Sequence, residues 1–255
     1  MNRRWFIQTT FLMMLQSFGN LAFPGLSFCA DPNKFKKKSR IALIIDDIGF
    51  SLARLQLFLN LNIPLTFAVL PQLPNSDKLA KIIYAKGHEI MLHQPMEPYS
   101  SEKDPGPGAI YINDDFSRIT RIMAENIANI PFAVGVNNHM GSKFTEDPKK
   151  LSQALTVIKK NNMFFIDSLT SYRSKAYMTA VASKVPAARR NRFIDNIPEK
   201  SKVFSQLYKL ARQATQRDYA IGIGHPYPAT AEGIKQFVEK LDYTRYSLVH
   251  ASRLL

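Results

Sequence analysis

Cysteine is all but absent: Cys29 is the only one in 255 residues. It falls in a stretch that reads as an export segment, so the mature chain is expected to carry no thiol. Intramolecular disulfides, thiolate zinc ligands and a cysteine nucleophile are thereby excluded together. Stability must come from a buried apolar core. Acidic charge is also scarce, with 20 Asp and Glu against 34 Lys and Arg and a formal charge of +14. Such a surplus favours anionic partners such as acidic glycans or membrane surfaces, or follows simply from solvated lysines on an exported protein. Export argues against nucleic acid as a partner. No Gly-x-Gly-x-x-Gly follows the first apolar strand and no phosphate-binding loop occurs, so a dinucleotide or nucleotide site is unsupported. Gly/Ser-rich linkers are missing too, and residues 40–255 read as a single domain.

The N-terminus has the pattern of a targeting segment over residues 1–30. Asn2-Arg3-Arg4 is a basic start, Phe11 to Phe28 is largely apolar, and small residues stand at Ser27 and Ala30. Gln16, Ser17, Gly19, Asn20 and Pro24 interrupt the apolar run, which favours a cleaved signal peptide over a permanent anchor. Residues 31–39 form a basic linker around Lys34-Phe35-Lys36-Lys37-Lys38. The expected location is the periplasm or cell envelope, with membrane contact only through the N-terminal segment where it is retained.

What is there is organised around Ile41-Ala42-Leu43-Ile44-Ile45-Asp46-Asp47-Ile48-Gly49. Five apolar residues read as a strand buried on both faces. Two adjacent carboxylates close it, which is costly unless a cation or a proton shares the site. The plainer alternative is that Asp46 or Asp47 caps a helix starting near Ser51. Beyond this point strand-like and helix-like segments alternate. Helices are predicted over 51–61, 76–86, 116–130, 147–160, 174–183, 202–215 and 232–241. Strands are predicted over 65–70, 89–92, 132–136, 163–166, part of 185–193, 221–224 and 246–249. A long Pro- and Gly-containing loop spans 94–115. Repeated βα units with short crossovers imply a parallel sheet, and their number fits an irregular (β/α) barrel better than a Rossmann-like sheet.

The ionisable residues that interrupt apolar strands stand at strand ends: Asp46 and Asp47, His93, His139, Asp167 and His225. In a βα barrel those ends converge on one face, where active sites of that fold lie. A single strand-end histidine is commonly structural; several on one face are not so easily explained. Asp47, His93 and His139 form a ligand set suited to a divalent metal, zinc in the first instance. Asp46 is placed to act as general base towards a metal-activated water, and His225 to protonate a leaving group. Asn138, with nearby backbone amides, is a candidate for binding a developing oxyanion.

These segments together carry a resemblance. Asp46-Asp47, His93-Gln-Pro-Met-Glu-Pro, Gly135-Val-Asn-Asn-His-Met-Gly-Ser142, Phe165-Ile-Asp-Ser168 and Gly224-His-Pro226 resemble the divergent polysaccharide deacetylase family from about Arg40 onward. The resemblance implies a distorted (β/α)7 barrel and a metal site that hydrolyses acetyl groups on glycans, with an acetylated, peptidoglycan-like substrate. Asp46 then corresponds to the catalytic base, Asp47 to a metal ligand and His93 to the first histidine of the family's His-x-x-x-His pair. Glu97 stands where ordinary deacetylases have the second histidine. The Asn-Asn-His-Met-Gly segment offers His139 as the third ligand instead, with Glu97 as a competitor. Arg190 and Asp195 lie in a further segment that resembles a motif of this branch and are expected to hold Asp46 in place. Two other readings stay open at this point: an inactive barrel that binds glycan or an envelope partner, and a two-metal phosphodiesterase-like hydrolase.

Overall fold

The computed structural model describes residues 38–255. The predicted export segment and all but the end of the predicted basic linker lie outside the described residues.

The central strand is β1 (Ser39–Ile48). The others are β2 (Thr66–Val69), β3 (Glu89–Met96), β4 (Ala133–Met140), β5 (Phe164–Asp167), β6 (Ala187–Arg189), β7 (Arg192–Phe193), β8 (Tyr219–Gly224) and β9 (Tyr246–Val249). The strands run in the order β6-β5-β4-β3-β2-β1-β8-β7, with β9 added to β1. Their ladders are parallel. β6 and β7 behave as two pieces of one barrel strand. Between them the Arg190 amide donates to the Asp167 carbonyl of β5 and the Asn191 amide to the Ile221 carbonyl of β8, both at 2.9 Å. One run of chain thus pairs with β5 at its start and β8 at its end, joining the two edges of the sheet. The result is a single α/β domain curled into a (β/α)7-type barrel, irregular at that seam.

Among the described residues, seven α-helices cover the outside: α1 (Leu52–Leu59), α2 (Ser76–Ala85), α3 (Phe116–Asn129), α4 (Pro148–Lys160), α5 (Ala176–Ala182), α6 (Lys200–Arg217) and α7 (Pro228–Glu239). Their starts follow local chemistry. The Ser51 hydroxyl accepts from the Arg54 amide ahead of α1, and Asp115 and Asp147 accept amides ahead of α3 and α4. The cap of α1 is therefore Ser51, which leaves Asp46 and Asp47 free of that duty. α7 begins earlier than its apolar spacing indicates because Pro228 sits in its first turn, where a missing amide costs nothing.

The alternation of side chains along each strand separates two cores. Ile41, Leu43 and Ile45 of β1 pack outward with Phe67, Leu92, Val136 and Phe165 against the helices. Ala42 and Ile44 point inward with Met91, Ile166, Ile221 and Ile223 and fill the lumen. The C-terminal residues close one end of it. Ala251 and Leu254, in a 3₁₀ turn at Ala251–Leu254, join the lumen core. The Thr66 hydroxyl accepts the Ala251 amide at 3.0 Å and Glu89 accepts the Ser252 amide at 3.1 Å. The other end is left for polar groups.

Candidate metal centre

The inward row of each strand, followed past the lumen core, delivers the site. In β1 it runs Ala42, Ile44, Asp46; in β3 it runs Met91, His93; in β8 it runs Ile221, Ile223 and then His225. In β4 it runs Gly135, Asn137, His139. A Cβ added at Gly135 would sit 2.4 Å from the ring of Phe164, a lumen residue, which confirms the direction of that row. Asp47 should by the same alternation point outward. It reaches the mouth because its backbone turns left-handed (φ 56°) and the pairing with β2 slips between Ile45 and Ile48. This is a bulge that re-aims one side chain. Left-handed backbone costs on the order of 1–3 kcal/mol in non-glycine residues, less for aspartate than for most. Met140 (φ 51°) and Leu169 (φ 49°), each immediately after an inward-facing residue, bend the ends of β4 and β5 in the same way.

Three atoms meet at the mouth. Asp47 Oδ1 lies 3.1 Å from His93 Nε2 and 3.0 Å from His139 Nδ1, and the two ring nitrogens are 3.1 Å apart. Asp46 Oδ2 is 3.6 Å from His93 Nε2. Asp46 and His93 are buried, and Asp47 and His139 form the more open side. Asn137, fully buried, ties the group together: its amide nitrogen donates to Asp46 Oδ1 at 2.8 Å and its carbonyl lies 2.8 Å from His93 Nδ1.

This donor set fits a divalent metal. Asp47 Oδ1 is buried yet makes no hydrogen bond of proper geometry, although two imidazoles stand beside it. With His93 Nδ1 engaged by the Asn137 carbonyl, His93 turns its Nε2 lone pair to the same point. Ligand bonds of about 2.0–2.2 Å place neighbouring donor atoms roughly 3 Å apart at right angles and roughly 3.3–3.6 Å apart in a tetrahedron, so the 3.0–3.1 Å found is within a small adjustment of a coordinating set. Among the described residues this is the one such group, where a two-metal hydrolase needs ligands for two ions.

The charges are arranged unevenly. Burial pushes the Asp46 carboxyl up, against the pull of His93 and His225. Burial would also raise Asp47, but His139 and His93 outweigh it and hold that carboxyl well below the usual range. His93 is pulled down by burial and raised overall by Asp46 and Asp47. For His225, burial is outweighed by the hydrogen bond and charge of Asp195, and the imidazole is pushed up to about 9.

The remaining predicted residues have definite places, several of them other than expected. Asp195 does not hold Asp46. Fully enclosed, it accepts His225 Nδ1 at 3.0 Å, the His225 amide at 2.5 Å and the Thr230 hydroxyl at 2.8 Å, fixing the imidazole after β8. Arg190 likewise donates to the Ser168 and Leu169 carbonyls (2.6 and 2.8 Å) and stacks on Phe193, reaching Asp46 only through its charge. Asn138 points away from the lumen and is consumed by the backbone, donating to the Met140 carbonyl and accepting the Ser168 amide, so it is not free to bind an oxyanion. Asp167, also on the outward row, accepts the Leu169 amide and the Ser174 hydroxyl and shapes the turn after β5. Glu97 stands outside the triad: it accepts the Ile112 amide at 2.7 Å and pairs with Lys143 at 2.6 Å. Asn137 was missed, although the period-two row that contains His139 passes through it.

Beside Asp47 a cleft opens between the turn after β1 and the segment after β8. Gly49, Phe50, Arg54, Pro226 and Tyr227 line it, with Phe50 and Tyr227 exposed.

Residues 43–255 match the divergent polysaccharide deacetylase family, and the chain belongs to it. The chain is 31% identical to the uncharacterized protein YibQ of Escherichia coli (strain K12), across 92% of this chain and 72% of that one. It is 30% identical to an uncharacterized protein of Haemophilus influenzae, across 76% and 69% of the two chains. The fold is shared with the crystal structure of an uncharacterized protein from Agrobacterium tumefaciens C58, at a TM-score of 0.81 and 22% identity over 86% of this chain and 90% of that one.

Proposed function

We propose that this domain is a metal-dependent hydrolase that removes acetyl groups from a peptidoglycan-like glycan of the cell envelope, to which its N-terminal segment directs it. The observation that carries the reading is the convergence of Asp47, His93 and His139 on one point, beside a buried carboxylate and a carboxylate-held imidazole. Membership of a deacetylase family supports the choice of reaction. A divalent ion, zinc by donor type, would be held by Asp47, His93 and His139, and would lower the pKa of a water and polarise the acetyl carbonyl.

The chain's own groups complete the chemistry. Asp46 accepts the proton of the attacking water. Its buried position and raised pKa suit a base that must later give the proton up. His225 is protonated at neutral pH and donates to the departing amine or alkoxide of the sugar. Asp195 keeps the proton-bearing Nδ1 edge of that ring fixed, so that Nε2 is the nitrogen free to act. Phe50 and Tyr227 give the adjoining cleft apolar faces on which sugar rings can lie.

The test is acetate release from acetylated peptidoglycan and chitin-type oligosaccharides by the Zn²⁺-loaded domain. Asp46→Asn should lose at least about 100-fold in rate while keeping its bound metal. Equal acetate release by Asp46→Asn and the parent, or none by the loaded parent on any acetylated glycan, would defeat the proposal.

A further inference from the structure

We infer that Asn137 is a positioning residue that sets the metal ligand His93 and the base Asp46 at once, through the two ends of a single carboxamide. The inference rests on the metal reading of the triad but not on the identity of the substrate. Asn137 is completely buried in the inward row of β4, two residues before His139. Its register partner across the parallel ladder is His93 itself.

The polarity of the amide follows from its neighbours. Asp46 is an acceptor when ionised, so the Asn137 NH₂ faces it, donating to Oδ1 at 2.8 Å and reaching the Ser168 hydroxyl at 3.3 Å. The carbonyl is then left for His93 Nδ1, at 2.8 Å. A carbonyl accepts only, so it keeps a proton on Nδ1 and frees the Nε2 lone pair for the point shared with Asp47 and His139. Outer partners that fix a ligating imidazole in this way are worth about 10–100-fold in metal affinity. The other end of the same amide spends Asp46 Oδ1 and leaves Oδ2, the oxygen 3.6 Å from His93 Nε2, facing the site. Neither end can rotate without inverting both bonds. β4 therefore supplies a ligand, His139, and the residue that aims the other two functional groups.

Two substitutions separate the ends. Asn137→Ala removes both bonds; Asn137→Asp keeps an acceptor for His93 Nδ1–H but sets a second carboxyl 2.8 Å from Asp46 Oδ1, so that the two share a proton and Asp46 is no longer free as a base. Zn²⁺ titrations and imidazole proton NMR read the outcome. The parent should show a slowly exchanging His93 Nδ1–H resonance. Asn137→Ala should lose it and bind Zn²⁺ about 10–100-fold more weakly. Asn137→Asp should keep the resonance and bind Zn²⁺ near the parent value, while turnover falls. If Asn137→Ala fails to fold, the parent resonance and the isosteric Asp variant decide. A parent that binds no Zn²⁺ but shows an Asn137-dependent Nδ1–H would sink the metal reading and keep the positioning role. The inference is overturned if Asn137→Ala retains both the resonance and the affinity, or if Asn137→Asp loses them as Ala does.

Discussion

At the scale of single residues, the site depends on which partner each buried ionisable group is given. Asp47 is surrounded by imidazoles and stays ionised, whereas burial keeps the Asp46 carboxyl high against the opposing pull of His93, His225 and the Asn137 amide. Two adjacent carboxylates thereby differ in how readily they ionise. His225 is governed by Asp195 and has a consequence for stability. Its folded pKa, about 9, lies above the ordinary value of 6.5. The pair's contribution is therefore complete below pH 6.5, declines through the interval and is gone once pH passes about 9. Asp195→Asn in the metal-free domain should cost about 1.5–3 kcal/mol at pH 6, and the deficit should shrink towards pH 10. Urea denaturation at the two pH values checks this; a deficit that does not change with pH would mean that the proton on His225 plays no part.

At the scale of elements, the alternation of strand side chains decides what was legible. Asp46, His93, His139 and His225 stood out because each interrupts or ends an apolar strand, and each lies on an inward row. Asp167 stood out for the same reason and Asn138 as a donor to a developing oxyanion, but both occupy outward positions and serve turns instead. Asn137 and Ser168 share the inward rows and were not singled out, because residue type was weighed there without the parity of the strand. Counting parity from Ile166 or from Gly135 would have exchanged the two pairs. That Asp47 joins His93 and His139 was expected from its place at the end of β1, and the three do meet; the route was not legible, since strict alternation sends adjacent residues to opposite faces and a left-handed backbone reverses that here. β3 was read as ending at Leu92 but continues to Met96, because β4 extends beside it and pairs through Met140. Glu97 then closes the strand by gathering the long loop. Its amide donates to the Ile110 carbonyl, its carbonyl accepts the Lys143 and Phe144 amides, and its carboxylate takes Ile112 and Lys143. Glu97→Ala should cost about 1–3 kcal/mol and speed protease cleavage within residues 98–115, with Zn²⁺ affinity unchanged. Loss of metal in that variant would return Glu97 to the ligand set.

At the scale of the whole molecule, the barrel divides its labour between two ends. One is sealed by the C-terminal turn, with Ala251 and Leu254 in the lumen core and the Ser252 amide held by Glu89. The other carries the polar groups that apolar lumen residues lift to the mouth. Leu254→Ala should lower stability by about 2 kcal/mol in urea titrations and leave metal affinity alone, because among the described residues the hydrogen bonds of the C-terminal turn go to Arg40, Thr66, Glu89 and its own backbone rather than to the triad. An effect on metal binding would mean that the ends are coupled through the lumen. The seam at β6 and β7 was predicted as partial strand, and its hydrogen bonds to both β5 and β8 explain why a run too short for one regular strand still closes the fold. The central claim is that Asp47, His93 and His139 bind one cation at the mouth. Elemental analysis of the purified domain, set beside His93→Ala and His139→Ala, tests it most directly. One equivalent of a divalent metal in the parent, lost from both folded variants, is the result predicted; full metal content in either variant, or a parent that binds none when supplied with Zn²⁺, would contradict it.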